Sequence, residues 1–401
     1  MRGNMRFGWI FAISFFVALF VAATLYLAKN NSSPIERSNP ELEKKLSEPK
    51  TPTSISTRLL VGGDVFWGRQ TEIWANESAE PIKFPFQGLN TFEREKYDAW
   101  IGTMECPITS TAVPFERQKN ELKFNCLPEY LEEAKKWFNA FNTASNHTDN
   151  MQEVDGFDQT LKNLEKHDIQ HFGHFDAGVN DEICEVLSFP ARAEPVDNEN
   201  QNSDVYLPVA FCGYNNVYRL PTEQELDAIT PYSKQFFTIA TPQQGEEYKP
   251  AADELKIEYF RKMVDKGADS IIGGQPHWVQ NTEVYKEKLI VYSVGNFMFD
   301  QRWSPDVMRG IGVDITLTAV YDENVQAWLD IAEQCKNHND SCLEKAKNKG
   351  LEKIGFRVKY DIVAVDATGR FSVKGDKQLL DALKQRANWA STSANLQKSS
   401  P

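Results

Sequence analysis

An amide, an imidazole and a carboxylate lie within four residues of one another in the tetrapeptide Asn146-His147-Thr148-Asp149. Imidazole nitrogen and amide oxygen are normal ligands of catalytic transition metals, so this grouping favours a metal or acid–base site. The triplet Asn146-His147-Thr148 also fits a glycosylation acceptor. We discount that alternative because the segment follows a predicted strand and is expected to face inward.

Two further carboxylates follow apolar runs of the kind that form buried strands. Asp64 comes after residues 59–63, and Glu105 comes after Ala99–Met104. A carboxylate at the carboxyl end of a strand is a common metal ligand in α/β hydrolases. A turn-capping role explains the position of Asp64 equally well.

A histidine and an asparagine follow another pair of short apolar runs. His277 comes just after Ser270–Ile272 and a glycine pair, and Asn296 comes just after residues 289–292 and a further glycine. Strands that end in glycine-rich loops present such side chains at one edge of a sheet, where α/β enzymes keep their chemistry. The alternative is a pair of structured turns with a hydrogen-bonded histidine and asparagine.

The elements that must position these side chains alternate along the chain. Apolar residues recur at helical spacing over residues 129–141 and 253–266, between segments that have the pattern of strands. This alternation predicts a layered α/β architecture. His171 and His174 are expected at a sheet edge or in a loop, and residues 386–401 are expected to form a loose tail.

Composition excludes one class of partner. The chain has 401 residues, of which 41% are hydrophobic, and a formal charge of −13 from 44 basic and 57 acidic residues. Nucleic acid is excluded, because phosphate binding requires a concentrated basic surface. The same charge repels any polyanion unless a local basic groove exists.

The N-terminus carries the pattern of a membrane anchor. Residues 7–28 contain no charged side chain, and 22 helical residues at about 1.5 Å each span the hydrocarbon core of a bilayer. Arg2 and Arg6 place residues 1–6 in the cytoplasm and the remainder outside it. A cleaved signal peptide is the alternative, although its apolar core is usually shorter. Residues 29–57, rich in proline, serine and charge, are predicted to be a flexible linker.

The six cysteines agree with export, because disulfides persist outside the cytoplasm. None of them forms a Cys-x-x-Cys metal pair. Six cysteines permit fifteen connectivities, so spacing does not decide among them, and buried free thiols are the alternative. The pairs that we favour are Cys335–Cys342, Cys106–Cys126 and Cys184–Cys212.

Six motifs follow one another along residues 58–320. They are Gly-Gly-Asp64-Val-x-x-Gly-Arg69, Met-Glu105-x-Pro-Ile-Thr, Asn146-His147-x-Asp149, Gly245-x-Glu247-Tyr248, Gly-Ala-Asp-x-Ile-Ile-Gly-x-x-Pro276-His277 and Tyr-Ser-x-Gly295-Asn296-Phe-x-Phe-Asp. In this order they resemble the motifs of the CapA family, capsule synthesis proteins associated with poly-γ-glutamate. The resemblance implies a four-layer α-β-β-α sandwich related to the calcineurin-like metallophosphoesterases. It also implies that residues 58–385 form the main domain, on the outer side of the membrane.

Matched residue by residue, the resemblance implies three groups of site residues. The ligands of one divalent ion (Mn, Zn or Mg) would be Asp64, Glu105, Asn146, His147 and His277. The catalytic residues would be His147, as proton donor to the leaving group, with Asp149, Arg69 and Asn296, the last two orienting neighbours or binding an anion. The substrate-binding residues would be Glu247, Tyr248 and Gln275.

The chain departs from the family pattern at three places. Many relatives have His-Trp-Gly where this chain has Gln243-Gln244-Gly245, and Gly-His-His-Pro-His where it has Gly-Gly-Gln275-Pro-His. Thr103 replaces an asparagine. Imidazoles of the family pattern are therefore absent, so a one-metal or metal-free site is expected rather than the two-metal site of a phosphoesterase.

Three functions follow from these observations. The leading one is a membrane-anchored protein acting outside the cytoplasm in synthesis or export of an anionic capsule polymer, with poly-γ-glutamate expected. Its partners would be the membrane, through residues 7–28, the polymer, and capsule synthase or export proteins. The alternatives are a metal-dependent hydrolase of phosphate or amide bonds using the same pocket, and a non-catalytic scaffold with an eroded metal site.

Overall fold

A computed structural model describes residues 52–151, 155–194, 205–336 and 341–399. Along these residues no helix combines the length and the apolar character needed to cross a bilayer. The predicted anchor at residues 7–28 and most of the predicted linker lie outside the described residues. One compact unit begins at Pro52.

The strands of this unit form two mixed sheets, which confirms the predicted α/β class. Sheet 1 has nine strands, in the order β15-β14-β13-β1-β2-β3-β4, with β6 and β12 also paired to β1; sheet 2 has six, in the order β10-β11-β9-β8-β7-β5. The strands are β1 (Ser54–Val65), β2 (Ala99–Met104), β3 (Ala140–Asn142), β4 (Gln170–Phe172), β5 (Cys184–Pro190), β6 (Arg192–Glu194), β7 (Tyr206–Asn216), β8 (Thr238–Gln244), β9 (Ser270–Ile272), β10 (Thr282–Tyr285), β11 (Lys288–Val291), β12 (Asn296–Met298), β13 (Arg309–Val320), β14 (Arg357–Asp366) and β15 (Val373–Lys374).

Helices pack against both sheets. They are α1 (Arg69–Asn76), α2 (Phe115–Asn120), α3 (Leu131–Ala134), α4 (Gly156–Lys166), α5 (Glu223–Asp227), α6 (Ile229–Ser233), α7 (Glu254–Asp265), α8 (Glu323–Ala332), α9 (Ser341–Lys349), α10 (Lys377–Arg386) and α11 (Trp389–Ser399).

The alternation of side chains along β1 shows how the layers share the core. Leu59 and Val61 lie in the apolar cluster between the two sheets, with Val209 and Ile272 of sheet 2. Leu60, the residue between them, lies in a second cluster that joins sheet 1 to helices α1, α3 and α4. Because successive side chains of a strand point to opposite faces, β1 is buried on both sides.

The three favoured disulfides are confirmed. The bonds join Cys106 to Cys126, Cys184 to Cys212, and Cys335 to Cys342. Cys184 and Cys212 face each other across the antiparallel pair β5–β7. Each bridge therefore joins segments that are also held together by the fold.

Three sequence-based boundaries are corrected by the structure. The predicted linker end at residue 57 is too late, since β1 begins at Ser54 and Ile55 is fully buried. The helix expected over residues 129–141 is only a short turn and α3, because Phe141 belongs to the buried strand β3. The tail expected to be loose contains α11, which is anchored by the buried side chain of Trp389 in the core between the sheets.

Candidate functional site

Strand register brings distant parts of the sequence together at one edge of sheet 1. Asp64, near the end of β1, pairs with Thr103 on β2 and with Asn296 on β12. In both pairings the strand register is shifted beside Asp64. Such irregularities change the direction in which side chains at strand ends point. Glu105 follows β2 directly and donates its backbone N–H to the carbonyl of Val65. His277 joins Asp64, Glu105 and Asn296 from the loop after β9. Four of the predicted strand-end side chains therefore lie together here.

A buried ion pair with an amide forms the centre. The Nδ1 of His277 lies 3.0 Å from Asp64 Oδ2 and 2.8 Å from Asn296 Oδ1. Asn296 is itself oriented by donation from its Nδ2 to the carbonyl of Val307. Burial opposes protonation of His277, but hydrogen bonding and the charges of Asp64 and Glu105 raise its pKa to about 9. His277 is therefore an imidazolium at neutral pH.

Glu105 is the second acid of the centre. It is buried, and its Oε1 accepts a hydrogen bond from the Ser145 hydroxyl at 2.9 Å. Burial and the nearby Asp64 charge raise the pKa of Glu105 to about 8, although His277 opposes the shift. Glu105 therefore keeps its proton at a higher pH than an ordinary glutamic acid, as a general acid requires.

His147 lies beside this centre in the turn after β3. Its ring packs 4.2 Å from the ring of Phe124, and its Nδ1 lies 2.8 Å from Asn150 Oδ1. Burial lowers the pKa of His147 to about 4, and the positive charges of His277 and Arg69 act in the same direction. With Nδ1 donating to an amide oxygen, Nε2 is an acceptor. This arrangement suits a base or a ligand better than the predicted proton donor.

Arg69, a predicted catalytic residue, is paired within the protein. Its Nε donates to Asp300 Oδ2 at 2.8 Å, its second nitrogen pairs with Asp300 Oδ1, and the backbone N–H of Gln70 also donates to Asp300. The guanidinium lies over the rings of Phe124 and Phe299. The charge of Arg69 is therefore already matched by a carboxylate of the protein.

Several site residues adopt a backbone conformation that side chains rarely tolerate. Arg69, Tyr248, Gln275 and His277 have φ values of 47°, 61°, 86° and 57°. Non-glycine residues in this region cost roughly 1–3 kcal/mol each and cluster at functional sites. Their occurrence at four separately predicted positions supports a functional role for this region.

A cleft of about 710 Å³ opens over the two histidines. Of the predicted residues it is lined by Arg69, His147, Glu247, Tyr248 and His277. Behind its floor lie the buried side chains of Asp64, Glu105 and Asn296, and those of Asn146 and Gln275 are also buried. Asp149 is half-buried two residues beyond His147.

The predicted five-ligand metal set is not assembled. In the part of the chain that the structure describes, no three His, Cys, Asp or Glu side chains are grouped so as to hold a metal ion. His277 Nδ1 is engaged by Asp64 and Asn296. Two buried acceptors of the set, Asp64 Oδ1 and Asn146 Oδ1, nevertheless have no hydrogen-bond partner. Buried oxygens of this kind normally receive a donor or a cation, but these two alone do not constitute the predicted site.

Two buried groups near the centre were missed from the sequence. Ser145 accepts from the backbone N–H of His147 and donates to Glu105. Lys256, on α7, is almost fully buried and donates to the carbonyl of Gly274, in the loop that carries His277. Burial lowers its pKa well below the ordinary value. The available signal was its position four residues before Phe260, on the apolar face of the helix.

The fold and site define a two-sheet α/β protein with a buried acid–imidazole centre beneath an aromatic cleft. The family model for the bacterial capsule synthesis protein PGA_cap matches residues 58–301, and the chain belongs to that family. The match contains all of the predicted site residues.

Named relatives agree with this assignment. The PGA biosynthesis protein CapA of Bacillus subtilis is 27% identical over 259 residues, which are 60% of this chain and 63% of the relative. The capsule biosynthesis protein CapA of Bacillus anthracis is 47% identical over 60 residues, 15% of each chain. The chain thus spans less than two thirds of the length of both relatives.

A solved structure described as a novel phosphatase from Mycoplasma pneumoniae also resembles this chain. It is 12% identical, with 81% of this chain and 96% of that chain covered, at a TM-score of 0.37. A TM-score in this range is too low to support an inference about activity.

Proposed function

We propose that this protein acts outside the cytoplasm in the synthesis or export of an anionic capsule polymer, and that the polymer is poly-γ-glutamate. The observation that carries the proposal is the family match over residues 58–301. The printed name of the Bacillus subtilis relative, a PGA biosynthesis protein, supports the polymer. Three disulfides support an oxidising compartment, because such bonds are rare in the cytosol. Residues 7–28 would supply the membrane anchor.

The buried centre is the part of the molecule that the proposal makes essential. Asp64 holds His277 as an imidazolium, and the pKa of Glu105 is about 8, so a cationic group that lines the cleft and a buried acid lie together at neutral pH. Such a pair can orient an anionic group or transfer a proton. The proposed role therefore requires His277 to remain in place.

A gene deletion tests this proposal. Deletion is expected to abolish cell-associated polymer, and the wild-type gene to restore it. His277→Gln is expected to fail to restore the polymer, whereas His171→Gln, which changes a histidine outside the centre, is expected to restore it. Unchanged polymer in the deletion strain would refute the role. Protease accessibility of the domain in intact spheroplasts tests the orientation.

A hydrolase of phosphate or amide bonds is the second candidate. The unpartnered oxygens of Asp64 and Asn146 favour it, since a bound cation or substrate donor would satisfy them. The purified protein would be assayed on a generic phosphodiester and on a γ-glutamyl amide, with and without added Mn, Zn or Mg. Turnover that is lost in His147→Ala supports the hydrolase. Absence of turnover under every condition supports a non-catalytic role.

A further inference from the structure

The outer part of the cleft has a composition that the buried centre does not explain. Of the described residues, five large hydrophobic side chains are markedly exposed, and two of these line the cleft: Leu122 at 52% and Trp303 at 57%. Trp303 is held edge-on against Tyr248, with ring centroids 4.3 Å apart. Exposed aromatic surface at the rim of a cleft normally marks a binding site.

Two cations stand at the same rim without a matching carboxylate among the described residues. Arg302 donates to the backbone carbonyls of Thr368, at 2.5 Å, and Gly369, and its guanidinium lies 5.3 Å from the ring of Trp74. Lys119, an exposed residue of α2, lies 5.9 Å from the ring of Phe115. Among the described residues these two side chains have carbonyl and ring partners but no ion pair within 4.0 Å, and the acidic residues that line the same cleft are Asp300, paired with Arg69, and Glu247.

This arrangement differs from that of Arg69 deeper in the cleft, where Asp300 already matches the positive charge. It also differs from the protein as a whole, whose formal charge is −13. An anionic ligand is therefore attracted locally to the rim. Because the rim is exposed to solvent, this attraction is screened by salt, while apolar contacts with Trp303 are not.

We propose that the cleft binds one strand of a polycarboxylate whose repeat combines a carboxylate, methylene groups and an amide, with carboxylates on Lys119 and Arg302 and methylenes on Trp303. The proposal rests on the proposed function, and it names the part of the molecule that recognises the polymer. The volume of about 710 Å³ lies within the range of ligand-binding clefts. A strand in this cleft passes directly over His147 and His277.

The test measures binding of a synthetic γ-linked glutamate oligomer to the full-length protein in detergent, by calorimetry and by Trp fluorescence. Arg302→Gln and Lys119→Gln are each expected to weaken binding about tenfold, as for one charge-assisted contact. Trp303→Ala is expected to weaken it about fivefold, and to do so at high salt as well. Lys162→Gln changes an exposed lysine outside the cleft and is the matched control, with unchanged affinity expected.

Three results would overturn the assignment. One is oligomer binding that the cleft variants weaken no more than Lys162→Gln does, and a second is no binding to the wild-type protein. A polyphosphate that binds as tightly as the oligomer, without any effect of Trp303→Ala, would show recognition of charge only and would also overturn it. Lys119→Gln keeps the test valid if Arg302→Gln loosens the loop at residues 367–369. The deletion strain decides the proposed function separately, so the two failures are distinguishable.

Discussion

The pair formed by Arg69 and Asp300 gives a quantitative test of how the cleft is built. The Asp300 side chain is 1% exposed and that of Arg69 is 14% exposed. The carboxylate receives two donors from the guanidinium and a third from the backbone of Gln70. Replacing Asp300 by Asn keeps the volume but leaves a nearly buried guanidinium without its counter-charge.

Removing one partner of a buried ion pair costs about 3–5 kcal/mol. Because Arg69 keeps some contact with water, we expect Asp300→Asn to lower the free energy of unfolding by about 3 kcal/mol. The double variant Arg69→Met/Asp300→Leu removes both charges. It is expected to recover much of this loss, since apolar replacement of a buried pair is often nearly neutral.

The assay is urea unfolding followed by circular dichroism, with a double-mutant cycle for the pair. The matched control is Arg58 and Asp314, which form the same two-bond geometry at 2.9 and 2.6 Å. There Arg58 is 38% exposed, so Asp314→Asn is expected to cost only about 1 kcal/mol. Equal losses for the two aspartates, or a loss below about 1 kcal/mol for Asp300→Asn, would refute the reasoning.

Three further outcomes are expected in unfolding experiments with excess chelator. Protonated His277 stabilises the fold fully below its unfolded pKa of about 6.5, and this stabilisation is lost as pH rises through about 9. The difference in the free energy of unfolding between wild type and His277→Gln should therefore shrink by about 3 kcal/mol across that window. A difference that stays constant contradicts this. The lowered pKa of Lys256 has the opposite effect on the pH dependence of stability. The free energy of unfolding of wild type should rise relative to that of Lys256→Met as pH rises toward 10.5, and a fall would contradict this. A Cβ at Gly63 would lie 1.8 Å from the carbonyl oxygen of Gly295, so Gly63→Ala should lower the free energy of unfolding by at least about 3 kcal/mol. The control Gly350→Ala, whose Cβ meets no atom within 4 Å, should lower it by about 1 kcal/mol. Similar losses for the two variants would contradict this expectation.

The strand-end side chains could be predicted from the sequence because an apolar run without alternation fits few structures other than a buried strand. Residues 59–63 and Ala99–Met104 are apolar on both faces, and only a central parallel strand buries both. The side chain that follows such a strand must lie at a sheet edge. The structure places Asp64 next to Asn296 and Thr103, and Glu105 directly after β2 at the same end of the sheet.

Local patterns failed where tertiary packing decides the structure. Residues 129–141 keep a helical period, but Phe141 is needed in the core beneath sheet 1, so the chain leaves the helix early and forms β3. The composition of residues 386–401 is that of a loose tail, yet Thr392 is hydrogen-bonded to Thr282 on β10, and Trp389 is buried. Neither contact can be read from neighbouring residues.

Protonation states could not be predicted from residue types for a similar reason. His147 and His277 look equivalent as imidazoles, but a carboxylate contacts only the second, so their pKa values move to about 4 and about 9. The predicted proton donor is therefore neutral, and the predicted ligand is cationic. Assigning such roles requires the partner atoms, which come from segments more than 100 residues apart in the case of Asp64 and His277.

The three departures from the family pattern are connected in space. Gln243 donates from Nε2 to the hydroxyl of Thr103 at 3.2 Å, and a Cβ at Gly274 would lie only 2.4 Å from that Nε2. The amide of Gln243 thus occupies the space next to β9 that a side chain at position 274 would need. Glutamine, threonine and glycine at these positions are therefore neighbours in the structure. An imidazole at position 274 requires the Gln243 amide to move away, or a smaller residue at position 243 in the same molecule.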